Sequence, residues 1–217
     1  MARFNAENID NYGSQSSGGK YFSLKDDGDI ARVRFMYGGA DDIEGFSIHR
    51  VQVGDREQNV NCLREYNSPM DDCPFCKAGM KLYTKLFVPL YNEDTQQVQI
   101  WERGKKFLSK LSSICSRYPD LASHIFEIER NGAKGEQTTT YEVYEVDKDN
   151  TTLDDLPEVP EILGSSFLLS KTAEEMNDYL EIGSFPDNEE TPVRRQHGSR
   201  DNGGRRTPAN RGRGDRF

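Results

Sequence analysis

The chain has 217 residues, of which 34% are hydrophobic and 30% are charged, and its net charge is −9. Its longest apolar stretches, such as residues 86–90, are far shorter than the roughly 20 residues that a membrane-spanning helix requires, so the sequence predicts no contact with a membrane. Residues 5–20 are polar, so no apolar signal segment follows Met1, which argues against secretion and favours a cytosolic protein with one globular core.

The charge divides the chain into three regions. Residues 1–140 hold 18 basic and 20 acidic side chains, residues 141–190 hold 2 and 15, and residues 191–217 hold 8 and 2. A nearly balanced body is therefore followed by an acidic segment and a basic tail. Because these regions offset one another, the net charge does not indicate whether the body binds nucleic acid.

Residues 1–19 are polar and end in Ser-Gln-Ser-Ser-Gly-Gly, which predicts a flexible arm. The following residues show the alternation of apolar and polar side chains that is typical of short strands, with turns between them. Arg32 and Arg34 alternate with apolar residues, so we expect both on one basic face. The first strands are predicted at residues 21–24, 30–37, 46–53 and 60–66.

Further along, a short helix is predicted at residues 76–82, and apolar side chains at helical spacing, among them Cys115, predict a longer helix at 105–118. Some seven short strands with few helices predict a mainly β fold with short helices. The expected architecture is an OB-fold-like small barrel over residues 20–147, with an inserted zinc-binding loop at about 49–82. The later strands are predicted at residues 86–91, 98–101, 125–129 and 139–146.

The C-terminal part of the chain loses this alternation. Residues 148–186 are predicted to be an acidic segment with one short helix at 173–180, because Thr172 and Glu175 form a capping box. Arginine and glycine accumulate toward the end, so a disordered Arg/Gly-rich tail is predicted for residues 187–217.

Four potential metal ligands follow the pattern His-x12-Cys-x10-Cys-x2-Cys, namely His49, Cys62, Cys73 and Cys76. Three thiolates and one imidazole are typical of the closed tetrahedral shell of structural zinc, which leaves no position for a reactive water. The sequence therefore predicts one structural Zn²⁺ in a reducing compartment. Alternatively, His49 is an ordinary strand residue and water is the fourth ligand. A redox dithiol is disfavoured because no βαβ pattern surrounds the pair.

No motif typical of catalysis is present, so the chain is not expected to be an enzyme. Residues 101–106 instead combine Trp101, Arg103, Lys105 and Lys106 at a strand-to-helix turn. Single-stranded nucleic acid is bound by such a combination, because cations follow the phosphates and a ring stacks on an unpaired base. The alternative is that Trp101 belongs to the core and the cations form a solvated rim.

The order of these motifs resembles the core of phage single-stranded DNA-binding proteins of the gene-32 type. Residues 33–35 are similar to an early strand of that family, residues 60–62 and 72–76 to its cysteine loop, and residues 101–106 to its aromatic-x-x-Gly-Lys-Lys segment. The similarity covers roughly residues 20–147. The spacing between the second and third ligands is one residue longer than in the family pattern, and the family has an acidic tail where this chain is rich in arginine.

The resemblance implies an OB-fold body, one zinc ion held by the four ligands, and a cleft for single-stranded DNA. The cleft residues that it implies are Arg34, Trp101, Lys105 and Lys106. Strand alternation and proximity add Arg32, Arg103 and Tyr37 to the predicted cleft.

The function expected on this basis is to coat and protect single-stranded DNA, largely independently of sequence, in phage replication, recombination or repair. The expected location is the cytoplasm of the infected bacterial host. Expected partners are single-stranded DNA, replication or recombination proteins reached through the acidic segment or the tail, and further copies of the chain on DNA. Two alternatives are a zinc-containing RNA-binding regulator and a protein–protein adaptor of the replication machinery.

Overall fold

Seven strands form one antiparallel sheet in the computed structural model, which describes residues 20–65, 67–136 and 138–185. The described residues belong to one compact unit of the chain. The predicted arm at residues 1–19 and the predicted tail at residues 187–217 lie outside the described residues. The strands are β1 Ile30–Phe35, β2 Gly45–Val53, β3 Arg56–Asn61, β4 Tyr83–Asn92, β5 Gln97–Gly104, β6 His124–Asn131 and β7 Thr140–Lys148.

The sheet is organised around β4, which has three neighbours. The first half of β4 pairs with β2, its second half pairs with β1, and β5 pairs along the other edge. The resulting order is β3-β2-β4-β1-β6-β7, with β5 beside β4. The five consecutive residues 86–90 of β4 are buried, as expected for a strand that is covered on both faces.

The predicted mainly β class with few short helices is confirmed, but the described strands do not form the closed barrel that we expected. The two ends of the order, β3 and β7, pair with β2 and β6, and among the described strands no ladder joins β3 to β7. Because β4 shares one edge between two partners, the sheet branches there. Alternation of apolar and polar residues predicts where strands form, but it does not predict which strands pair with one another.

The helices are α1 Pro74–Lys77, α2 Leu108–Arg117 and α3 Ala173–Ile182. The helix predicted at 105–118 is confirmed, and a 3₁₀ turn, Lys105–Phe107, precedes α2. The capping box of α3 is confirmed as well. Thr172 Oγ1 accepts a hydrogen bond from the Glu175 N–H at 3.3 Å, and the Thr172 N–H donates to the Glu175 carboxylate at 2.8 Å. The helix ends at Gly183, whose φ of +82° favours glycine.

Three predicted elements differ most clearly from the observed ones. Residues 21–24 do not form a strand, since only an isolated bridge joins Tyr21 to Ile100. Strand β3 ends at Asn61 instead of residue 66, and the helix predicted at 76–82 is a single turn at Pro74–Lys77. Cys62 follows the end of β3 and Cys76 lies in the helical turn. The backbone at both places therefore adopts the conformation that brings these cysteines into the predicted metal cluster.

Separate hydrophobic clusters cover the two faces of the β4–β5 hairpin. On one face Val88 and Trp101 pack in the cluster that includes the buried side of α2. On the other face Ile100 packs against Phe167 and Leu168. The segment that was predicted to be acidic with one short helix therefore also contributes buried apolar side chains to the fold.

Candidate metal centre and basic surface

The four predicted ligands converge where β2, β3 and α1 meet. His49 lies in β2, Cys62 follows the last residue of β3, and Cys73 and Cys76 belong to the turn that begins α1. Pro74 occupies the first position of α1, where its fixed φ suits a helix start and its missing N–H is not needed. This turn places both thiols of the Cys-x2-Cys pair on the cluster.

The ligand atoms of the four side chains lie within 4.8 Å of one another. His49 Nε2 is 3.6 Å from Cys73 Sγ and 3.5 Å from Cys76 Sγ. The sulfurs of Cys62 and Cys76 are 3.6 Å apart. A tetrahedral ion with bonds of about 2.3 Å to sulfur and about 2.0–2.1 Å to nitrogen requires separations of roughly 3.5–3.8 Å. The three distances fit this shell, so the residues form one candidate metal site.

The candidate site is enclosed by protein. His49 and Cys73 are fully buried and Cys76 is 1% exposed, whereas Cys62 is partly exposed. All of these cysteines are free thiols, and the sulfur separation of 3.6 Å is far longer than a disulfide bond of about 2.05 Å. The remaining cysteine, Cys115, lies in α2 and is buried in the core, as its position on the apolar stripe predicted.

The backbone orients the His49 ring for metal binding. Its Nδ1 atom lies 3.2 Å from the Lys81 carbonyl oxygen. A ring that donates from Nδ1 leaves the lone pair of Nε2 directed at the three sulfurs. Burial lowers the pKa of His49, which favours the neutral ring that a metal requires, while the Lys81 carbonyl acts in the opposite direction.

The thiols differ in how well their surroundings favour the thiolate. Burial raises the pKa of Cys62 to about 12 and also raises the pKa of Cys76. For Cys73, burial acts to raise the pKa, but three backbone hydrogen bonds, including those of Cys76 and Leu63, lower it. Thiolates packed together require a cation, because they repel one another, and a thiophilic divalent metal satisfies that requirement.

The donor set determines what such a centre can do. Four protein ligands fill a tetrahedral shell, so no position is left for a substrate or a reactive water. A metal held there would join β2, β3 and α1, so the donor set suits a structural role.

Arg34 was predicted to line a nucleic-acid cleft, but it is buried and paired. It is 4% exposed, and its guanidinium contacts Glu93 and donates to both carboxylate oxygens of Asp149 at 2.9 and 2.7 Å. It also donates to the Ala122 carbonyl at 2.7 Å. Burial acts to lower the pKa of Arg34, but its hydrogen bonds with Asp149 and Glu93 raise it. These partners occupy the donors that a phosphate would need.

Arg32 and Tyr37 also differ from the expected cleft residues. Arg32 does lie on the same face of β1 as Arg34, but its guanidinium is 3.9 Å from the Asp147 carboxylate. Tyr37 is 6% exposed and packs in the main hydrophobic cluster, where burial raises the pKa of its hydroxyl. The predicted face of β1 is thus opposed by carboxylates and is not a purely basic surface.

Trp101 lies in the hydrophobic core. It is 3% exposed, and its ring makes edge-to-face contacts with Phe22 at 5.6 Å, Phe107 at 4.9 Å and Tyr141 at 5.3 Å. A base cannot stack on this ring while these contacts persist. The alternative that the sequence left open, a core position for Trp101, is confirmed.

Arg103, Lys105 and Lys106 remain near the surface. Both lysines are exposed in the 3₁₀ turn before α2. The Arg103 guanidinium carbon lies 4.3 Å from the centre of the Tyr141 ring and 4.8 Å from that of Trp101. The Nε atom of Arg103 is buried and has no hydrogen-bond partner among the described residues. These three cations therefore lie together at the C-terminal end of β5.

A second group of cations and an aromatic ring was not identified from the sequence. Arg50 and Lys81 lie 5.1 and 4.9 Å from the centre of the Tyr83 ring. Arg50 also forms ion pairs with Glu57 at 3.2 Å and Glu102 at 3.6 Å, so Lys81 is the less restrained of the two cations. Lys81 and Tyr83 are near neighbours in sequence, and this proximity was the available signal. Arg50 joins them only because β2 pairs with β4, with Ile48 opposite Tyr83.

Comparison with models of known protein families and with curated proteins finds no match to this chain. Within residues 20–65, 67–136 and 138–185, no helix is both long enough and apolar enough to cross a membrane. A functional interpretation therefore depends on the metal cluster and on the two groups of cations.

Proposed function

We propose that this chain binds single-stranded DNA without sequence preference and that one structural Zn²⁺ supports the binding surface. The DNA lies across the open end of the β4–β5 hairpin, where Tyr83 begins β4 and Gly104 ends β5. Lys85 and Gly104 are paired in the ladder, which places Lys105 and Lys106 at the same end of the hairpin as Tyr83.

The environment of Arg103 carries this proposal. Its guanidinium is held against the rings of Tyr141 and Trp101, and it takes part in no ion pair among the described residues. Burial lowers the pKa of Arg103 and the neighbouring Arg130 acts in the same direction, whereas the hydrogen bond and charge interaction with Tyr141 raise it. A partly buried cation with an unpartnered Nε is costly to maintain without an anion. A backbone phosphate supplies the missing charge and acceptor.

The two groups of cations favour a flexible, single-stranded ligand. Arg103 shares a face of the hairpin with Trp101, whereas Tyr83 packs with the cluster on the opposite face. A single strand can bend around the end of the hairpin and contact both groups, but a stiff duplex cannot. Tyr83 and Tyr141 are partly exposed, so they can offer ring surface to unpaired bases where the buried Trp101 cannot.

Zinc is the proposed metal because three thiolates and one imidazole in a closed shell suit it. The four cluster residues would hold the ion. The ion would not contact DNA but would hold in place the residues around Tyr83, where the proposed surface begins. His49 contacts the Lys81 carbonyl, and Arg50 follows His49 in β2. Both cations on the Tyr83 ring are therefore connected to the ligand His49, Lys81 through its carbonyl and Arg50 as the next residue in the strand.

The resemblance of the motifs to the gene-32 type supports the wider role. In this proposal the chain coats and protects single-stranded DNA during phage replication, recombination or repair in the cytoplasm of the infected host. Sequence tolerance is expected because stacking and phosphate contacts do not read base edges.

Replacing both Lys105 and Lys106 with alanine tests the surface. Affinity for a fluorescent single-stranded oligonucleotide should fall roughly tenfold or more at low salt, because two phosphate contacts are lost. The magnitude of the slope of log affinity against log salt concentration should decrease by about 1.4, since each phosphate contact on a single strand contributes about 0.7 to it. Fluorescence anisotropy titrations at several salt concentrations measure both quantities.

The matched control removes two exposed cations elsewhere, with Arg117→Ala and Lys148→Ala combined. Arg117 ends α2 and Lys148 ends β7, away from the end of β5. The control should keep the affinity and salt slope of the original chain. Equal losses in both double variants would show that only net charge matters and would exclude the proposed surface. Unlabelled duplex and RNA of the same sequence serve as competitors, and preferential displacement by RNA would assign the surface to RNA.

A further inference from the structure

Residues 167–185, here named the clamp segment, are attached to the strand that delivers Cys62. The Leu169 N–H donates to the Asn59 carbonyl at 2.9 Å, and the Asn61 N–H donates to the Leu169 carbonyl at 3.0 Å. The Asn61 side chain continues this pairing, because its Oδ1 accepts from the Lys171 N–H at 2.7 Å. Asn61 directly precedes the ligand Cys62, so the clamp segment restrains the backbone beside that thiol.

Helix α3 then covers the cysteine turn. Met176 is fully buried in the cluster that contains Cys73 and Cys76. The Tyr179 ring packs on Phe75 with centroids 5.6 Å apart. Phe75 lies between the two thiols in sequence, and its ring in turn packs on the His49 ring at 5.5 Å. A continuous stack of side chains therefore connects α3 to the histidine ligand.

The hydroxyl of Tyr179 ties α3 to the strand that carries His49. It accepts a hydrogen bond from the Gln52 N–H at 3.1 Å and donates to the Gln52 carbonyl at 3.0 Å. Gln52 lies in β2, three residues after His49. The helix is thus bonded to the segment of one ligand and packed on the turn of two others.

We infer that the clamp segment holds the metal centre closed and that Met176 and Tyr179 are positioning residues for its ligands. Three ligands are buried and α3 packs on the cysteine turn, so separation of α3 from that turn gives a chelator access to them. Metal release is therefore controlled by the opening of α3. By linkage, the bound metal must hold α3 in place to the same extent. The inference rests on the proposed occupancy of the site by zinc.

The test measures zinc transfer from the full-length, zinc-loaded chain to an excess of a chelating dye. Tyr179→Phe keeps the ring but removes the hydroxyl, and it should release zinc roughly fivefold faster, as expected for hydrogen bonds of ordinary strength. Met176→Ala removes buried contacts and should release zinc more than about tenfold faster. Leu180→Ala is the control on the same helix, because Leu180 is 41% exposed, and its rate should match the unsubstituted chain.

A second readout follows the helix instead of the metal. Removal of zinc should increase hydrogen exchange of the amides of Ala173–Ile182 but leave exchange in Leu108–Arg117 nearly unchanged. Circular dichroism verifies that Tyr179→Phe remains folded. Equal release rates in Tyr179→Phe, Met176→Ala and Leu180→Ala would overturn the clamp while leaving the metal site intact. A purified chain without stoichiometric metal would instead refute the proposed zinc, and with it the clamp.

Discussion

Cys73→Ala is expected to abolish stoichiometric zinc binding and to unfold the region around the cysteine turn. The variant removes one of the two fully buried ligands and leaves two thiols and a histidine facing a cavity. Structural zinc contributes about 10–16 kcal/mol to the folding of isolated zinc-finger peptides. We therefore expect a loss of about 5 kcal/mol or more here, where the sheet retains part of the fold. Elemental analysis measures the metal content, and urea denaturation measures the free energy of unfolding.

Cys115→Ala is the matched control, because Cys115 is a buried thiol outside the metal cluster. It should retain one zinc per chain and lose only about 1 kcal/mol from the small cavity. Loss of metal in both variants would indicate general unfolding, and retention of metal in Cys73→Ala would remove Cys73 from the ligand set.

The same pair of variants tests whether a metal supports the proposed DNA binding. His49 contacts the Lys81 carbonyl, so loss of the metal should release the cations around Tyr83. The group around Arg103 packs on a different cluster and should persist. Cys73→Ala should therefore weaken single-stranded DNA binding without abolishing it, whereas Cys115→Ala should bind normally in an anisotropy titration. A zinc-free variant of undiminished affinity would separate the metal from the DNA surface.

The cluster of candidate metal ligands could be predicted from the sequence because the information is local. A Cys-x2-Cys turn around Pro74 has few possible conformations, and three clustered thiols with a histidine have few chemical roles. The clamp could not be predicted in the same way. Met176 and Tyr179 look like ordinary apolar positions of a capped helix, and their contact with the cysteine turn depends on pairing between residues more than one hundred positions apart.

Alternation assigned side chains to faces correctly, but it could not show what covers each face. Arg34 is opposite the apolar residues of β1 as predicted, yet Asp149 folds over it from beyond β7. Trp101 is buried because Phe22 and Tyr141 approach from distant parts of the chain. The prediction of a closed barrel was wrong for the same reason, because the branching of the sheet at β4 depends on pairing between strands that are distant in sequence.

Arg34→Met is expected to lower the free energy of unfolding by about 3 kcal/mol, with little direct effect on DNA contacts. Methionine keeps much of the buried aliphatic length, so the loss measures mainly the guanidinium. Breaking a buried ion pair costs about 3–5 kcal/mol, and the partial exposure of Glu93 and Asp149 places this case at the lower end. Arg32→Met is the control. Its guanidinium is half-exposed and has one long contact, so it should cost about 0–1 kcal/mol.

The pH dependence tests whether carboxylates pair with Arg34. The hydrogen bonds from Arg34 hold the pKa of Asp149 well below its ordinary value. A depressed carboxylate pKa stabilises the folded chain above the ordinary aspartate range and loses that contribution as the pH falls through the folded pKa. The difference between the original chain and Arg34→Met should therefore be constant near neutral pH and shrink below about pH 4 in urea denaturation. If Arg34→Met is as stable as Arg32→Met and yet flattens the salt dependence of DNA binding, Arg34 contacts phosphate after all.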